Sequence, residues 1–133
     1  MKEDSRVALA IQHATEARKL AYAPYSKFRM GASVITDQGE IIRGTLVENV
    51  SLGLAMCAER SALFASVANA EGTPAVLALA SPKTSGGLTW PCGACLQVAL
   101  ELGGSDLLVA VSDGKTTEAK LLGELAPNMP KKF

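Results

Sequence analysis

The sequence predicts an α/β fold: a mixed β-sheet with helices on both faces, in a single domain spanning 1–133. Three observations carry this. Two continuous apolar runs, AVLALA (75–80) and DLLVAVS (106–112), suit strands buried on both sides. Two further strand-like runs in FRMGASVITDQGEIIRGTLVEN (28–49) flank a turn at Asp37-Gln38-Gly39. Between and around these lie segments with helical spacing. Runs of strand and helix alternating in this way favour an α/β layer arrangement.

The elements follow in order. Asp4 or Ser5 caps a first helix, in which Val7, Ala10, Ile11, Ala14, Ala17 and Ala21 recur at helical spacing and which Pro24 closes. The hairpin comes next. A second helix begins near Cys57 and runs through Ala70, with Gly72 as its stop signal. The strand 75–80 follows, then the loop SPKTSGG, then a third helix from Cys92 to Leu102, stopped by Gly103-Gly104. After the strand 106–112, Asp113-Gly114 marks a turn into a possible further strand. LLGEL (121–125) forms a short final helix.

Composition removes several function classes. Thirteen Lys and Arg balance thirteen Asp and Glu, so no broad basic surface awaits a nucleic acid. Apolar runs are too short and too often broken to cross a membrane. MKEDSRVALA lacks the basic-then-apolar layout of a signal peptide, so the expected location is the cytoplasm. In a reducing compartment a cysteine pair is more often metal-binding or catalytic than a structural disulfide.

The chain has three cysteines. Cys92 and Cys95 stand in WPCGACLQV (90–98) and Cys57 in MCAERSALF (56–64), all at expected helix starts. Backbone amides and the helix dipole favour thiolates there. Two such starts can bring three sulfurs to one metal ion. Zinc suits them best, because it takes thiolates in tetrahedral geometry without redox chemistry. Three protein ligands leave a fourth position open for water, which zinc makes nucleophilic near neutral pH. Glu59, two residues past Cys57, then stands beside the metal as a proton carrier. Arg60 can donate to the sulfurs and offset a core of net charge minus one. On the residues alone, a redox couple and a structural zinc site stay open. A redox motif is expected after the first strand of its fold, and a structural site wants a fourth protein ligand. The lone His13 reads as a surface or packing residue of the first helix.

Cys57-Ala58-Glu59 and Pro91-Cys92-Gly93-Ala94-Cys95 resemble the zinc-deaminase signature in its three-cysteine variant. With AYAPYSKFRMGA (21–32), VENVSLGLAMCAER (47–60) and LLGELAP (121–127), nearly the whole chain resembles the small, homotetrameric cytidine deaminases. That resemblance implies a three-layer α-β-α sandwich around a five-stranded sheet and active sites shared between subunits. It implies hydrolytic deamination of cytidine and deoxycytidine, with Zn2+ on Cys57, Cys92 and Cys95 and Glu59 as the proton shuttle. Glu48 would hold the ribose, the Ala58 backbone the base, and Phe28 would pack on the substrate.

The chain departs from the family pattern at recognition positions. Leu46 stands where the family has an asparagine that binds the sugar, and Leu52 where a tyrosine is common. Leu96 replaces an arginine after the last cysteine, and Trp90 a small residue before Pro91. Pro130 stands where a phenylalanine is frequent, a contact Phe133 would have to supply. Cytidine salvage is the first expectation. The alternatives are deamination of a modified cytosine nucleoside, or of a cytosine-nucleoside antibiotic such as blasticidin S, and a non-catalytic zinc-stabilised binding module.

Overall fold

Asp4 opens the first helix, α1 (Ser5–Arg18), by accepting from the backbone N–H of Arg6 at 2.9 Å. Val7, Ala10, Ala14 and Ala17 are its buried side chains, one stripe at helical spacing. This computed structural model describes residues 1–132. Four helices and five strands follow one another as α1, β1 (Gly31–Thr36), β2 (Ile41–Thr45), α2 (Ala58–Asn69), β3 (Pro74–Ala80), α3 (Gly93–Gly103), β4 (Leu108–Ser112), β5 (Thr117–Leu121) and α4 (Leu122–Leu125).

The strands form one mixed sheet in the order β2-β1-β3-β4-β5. β1 pairs antiparallel with both β2 and β3, and β4 with β5. β3 and β4 are parallel, which requires a crossover; α3 supplies it. α2 likewise carries the chain from β2 past β1 to β3. All six residues of β1 and all five of β4 are buried, whereas the edge strands β2 and β5 are only partly covered. Central strands covered on both faces read as unbroken apolar runs, which is why 75–80 and 106–112 were recognisable.

The two faces pack differently. Towards α1, Val7, Ala10 and Ala14 meet Ile35, Val76, Ala78, Ala80, Leu108 and Ala110. Small residues dominate, so α1 approaches closely. Buried Ser33 Oγ donates to the carbonyl of Ala10 at 2.6 Å, satisfying a hydroxyl that would otherwise be costly inside. Gly31 is required by the same contact, since a Cβ there would collide with the α1 backbone at Ala14 and Arg18. On the opposite face, Ala58, Ala62 and Leu63 of α2 and Leu96, Ala99 and Leu100 of α3 pack with Ala32, Val34, Leu77 and Val109. Gly44 has the matching role under α2, where a Cβ would meet the backbone of Ala58 and Ala62.

Three boundaries differ from expectation. α1 ends at Arg18 rather than running towards Pro24. Ala21 continues the apolar spacing but lies outside the helix, because Tyr22 pairs instead with 46–48: its N–H donates to Leu46 O and its carbonyl accepts from Glu48 N, both at 2.9 Å. α2 stops at Asn69, with Ala70 as its cap. α3 starts at Gly93 and includes Gly103; Gly104, at φ 82°, makes the left-handed turn. The possible extra strand after Asp113-Gly114 is real and is β5. Phe133 lies outside the described residues.

Candidate active site

Cys57 is the N-cap of α2 and Cys92 the N-cap of α3, while Cys95 sits in the first turn of α3. α2 and α3 pack side by side on one face of the sheet, so their N-termini bring these cysteines together. The three Sγ atoms all lie within 4.8 Å of one another, and Cys92 and Cys95 Sγ are 3.4 Å apart. Tetrahedral zinc with Zn–S bonds of about 2.3 Å needs sulfurs roughly 3.8 Å apart. The cluster is therefore nearly closed to that spacing.

Neither cap cysteine makes the side-chain bond that a Ser or Asp would make to its helix N–H groups. The thiols answer instead to the site. Burial works against the Cys92 thiolate, but the amides of Cys95 and Ala94 and the neighbouring thiols outweigh it, and its pKa falls. Burial, then the charge of Glu59, pushes Cys95 up. Arg60 Nη2 donates to Cys57 Sγ at 3.4 Å, and hydrogen bonds to the Cys57 and Cys95 sulfurs raise the pKa of its guanidinium. Its Nε is buried without a partner. A guanidinium with a spare buried donor against three sulfurs fits a thiolate-bound cation, since thiolates are the stronger acceptors. The donor set thus fits zinc.

Glu59 lies in the first turn of α2, 3% exposed. Burial raises its carboxyl pKa, against the lowering effect of Arg60. A buried carboxyl holds a proton more tightly than an exposed one, which suits a group that takes up and hands on a proton. Ala58 is the first residue of α2 and is fully buried, so what it offers is backbone.

A cavity of about 580 Å³ is lined by Tyr25, Ser26, Leu46, Glu48, Asn49, Val50, Leu52 and Ala55. Two of the expected recognition residues, Leu46 and Glu48, face it; Phe28 and Ala58 are not among its walls. Glu48 is fixed by three donors: Tyr25 N at 3.0 Å, Ser26 N at 3.2 Å and Ser26 Oγ at 2.5 Å. The Ser26 hydroxyl leads these bonds in holding the carboxyl pKa below its ordinary value. Lys27 adopts φ 63°, a left-handed turn uncommon for a side chain of this kind, and Phe28 N then donates back to Ser26 Oγ at 3.0 Å. Tyr25 and Ser26 were not singled out from the sequence. Their only signal there was membership of the AYAPYSKFRMGA stretch.

The divergent positions have definite surroundings. Leu96 is 9% exposed and belongs to the core cluster on the α2–α3 face. Trp90 packs against that same core, with Lys120 Nζ 5.4 Å from its ring centroid. His13 is no part of the metal cluster: its Nδ1 lies 3.1 Å from Arg43 Nε and 3.0 Å from Arg43 Nη2.

Comparison with known proteins agrees with this geometry. The family described as cytidine and deoxycytidylate deaminase zinc-binding region matches residues 4–111. The chain is 41% identical over 116 residues to a cytidine deaminase of Mycobacterium tuberculosis, covering 87% of this chain and 83% of that protein. It is 45% identical over 101 residues to that of Halalkalibacterium halodurans, covering 76% and 75%. Among solved structures, the cytidine deaminase of Burkholderia pseudomallei superposes with a TM-score of 0.81 at 39% identity, covering 91% of this chain and 96% of that one. The fold, the three-cysteine cluster and these identities together place the chain in the cytidine deaminase family, in its three-cysteine zinc-dependent form.

Proposed function

We propose that the protein hydrolyses cytidine and deoxycytidine to uridine and deoxyuridine, releasing ammonia. The observation that carries this reading is the buried, pKa-raised Glu59 in the same helical turn as a cysteine of the three-sulfur cluster. Cys57, Cys92 and Cys95 would hold the zinc. When bound, zinc supplies the Lewis acidity that makes water a nucleophile near neutral pH. Glu59 takes a proton from the attacking water and delivers it to N3 of the pyrimidine. A C4–O bond forms; Glu59 then takes the proton of the new C4 hydroxyl and passes it to the amino group, the C4–N bond breaks as the C4 carbonyl forms, and ammonia leaves. Arg60 offsets the negative charge of the sulfurs. The Ala58 backbone holds the base, Glu48 accepts from a sugar hydroxyl, Leu46 supplies an apolar wall, and Phe28, outside that cavity's lining, packs on the substrate.

The working enzyme on this reading is a cytoplasmic homotetramer with shared sites. Val50, Leu52 and Leu54 are 80%, 87% and 69% exposed beside the cavity, an apolar cluster that a neighbouring copy would cover. Among the described residues no helix is long and apolar enough to cross a membrane.

Ultraviolet absorbance tests the activity directly, because loss of the cytosine amino group changes the spectrum. Zinc-loaded protein should turn over cytidine and deoxycytidine, and Glu59→Ala should not. A second reading rests on Leu46, which gives the cavity an apolar side chain beside Glu48. It assigns the site to a modified cytosine nucleoside, or to an antibiotic such as blasticidin S. Turnover of such a compound with none of cytidine, in protein with confirmed zinc, would select it.

A further inference from the structure

On the α1 face of the sheet, Thr15, Arg18, Lys19 and Arg29 line a cavity of about 250 Å³. Three of the four are cationic and none is acidic. We infer that this cavity is a second binding site, separate from the metal centre, for a small phosphate-bearing anion.

The two arginines differ from the chain's other three arginines, each of which meets another residue's side chain. Arg6 pairs with Asp4 and Lys2 with Glu118. Arg60 faces sulfur, Arg43 faces His13 and Lys120 lies over Trp90. Arg18 and Arg29 have no carboxylate partner among the described residues. Each is instead tethered by one backbone carbonyl of the other's segment. Arg18 Nε donates to Arg29 O at 3.0 Å, and Arg29 Nη1 donates to Lys19 O at 3.4 Å. These reciprocal bonds tether one N–H of each guanidinium. They leave both Nη groups of Arg18, and Nε and Nη2 of Arg29, without an acceptor among the described residues. Tethered forks with spare N–H groups are the geometry that binds phosphate bidentately.

The backbone explains why the two arginines meet. Gly31 lets β1 press against the last turn of α1, and Arg29, two residues earlier, is thereby brought to the Lys19 carbonyl. Two effects oppose anion binding, and both are smaller than the attraction. The C-terminus of α1 carries roughly half a negative charge. Glu16 lies 3.5 Å from Lys19, but both side chains are about half exposed or more, so the pair is weak. Two unpaired guanidinium groups exceed the dipole charge.

Inorganic pyrophosphate is the probe, titrated into zinc-loaded protein at fixed ionic strength and followed by amide NMR, with sodium sulfate as the comparison. The expected result is saturable shifts centred on Thr15, Arg18, Lys19 and Arg29. Arg18→Gln and Arg29→Gln, each with unchanged Tm, should weaken binding about tenfold or more, as loss of a charge-assisted hydrogen bond predicts. Cytidine turnover should be untouched in both. Equal binding by the variants and the parent protein would overturn the inference. So would shifts spread over lysines generally, sulfate binding as well as pyrophosphate, or shifts confined to the cysteine segments through metal stripping. If Arg29→Gln fails to fold, Arg18→Gln alone decides.

Discussion

The two faces of the sheet are built from the same parts and put to different ends. Each has a helix laid over a glycine of the β1–β2 hairpin, Gly31 beneath α1 and Gly44 beneath α2. α1 begins with Asp4, a cap that satisfies a backbone N–H. α2 and α3 begin with Cys57 and Cys92, which make no such bond. The α1 face therefore spends its helix start on stability. The α2–α3 face gives up two caps, and in return has amide dipoles aimed at sulfur.

Five changes break or sharpen that contrast, in falling order of effect. Cys57→Ala should abolish bound zinc and turnover together, read by metal analysis beside the absorbance assay. Glu59→Gln should keep the metal and slow turnover by roughly 10²–10⁴-fold, the range for a removed general acid-base. A zinc-loaded Glu59→Gln protein of undiminished rate would remove this carboxyl from the chemistry. Gly44→Ala and Gly31→Ala should each destabilise by about 1–3 kcal/mol in denaturant melts, because backbone must shift to admit a Cβ. Only Gly44→Ala should also impair turnover, since α2 carries Cys57 and Glu59; equal losses of activity would show the faces to be coupled.

The smallest effect is at the ordinary cap. Asp4→Ala should cost roughly 0.5–2 kcal/mol, the usual range for a lost N-cap, and should leave turnover unchanged. Hydrogen bonds from Arg6 lower the Asp4 pKa to about 2 in the folded chain. A carboxyl depressed on folding stabilises above its ordinary value near 4 and loses that contribution as pH falls towards 2. The mutant and parent stability curves should therefore converge across that window, by a small amount because the pair is exposed.

Much of this was legible in advance. The buried strands announced themselves as unbroken apolar runs, and the cysteines as helix starts, because those are local patterns. Ala21 misled for the same reason: its spacing was helical, yet Tyr22 found a non-local partner at 46–48. The Glu48 cradle was illegible because Tyr25 and Ser26 reach it across more than twenty residues of sequence. That Leu96 packs into the core was not legible either, because it depends on how α3 lies against the sheet.

By itself the sequence determined the α/β class, the three thiol ligands on offer, and the glutamate and arginine beside one of them. Those follow from residue type and short-range spacing. Tertiary structure alone decided that three sulfurs separated by up to 38 positions lie within one ion's reach. It also decided that Glu59 is buried and Arg60 faces Cys57, and that two arginines meet unpaired on the far side of the sheet. Those depend on how helices lie over the sheet, and packing of that kind is settled by contacts the local sequence does not contain.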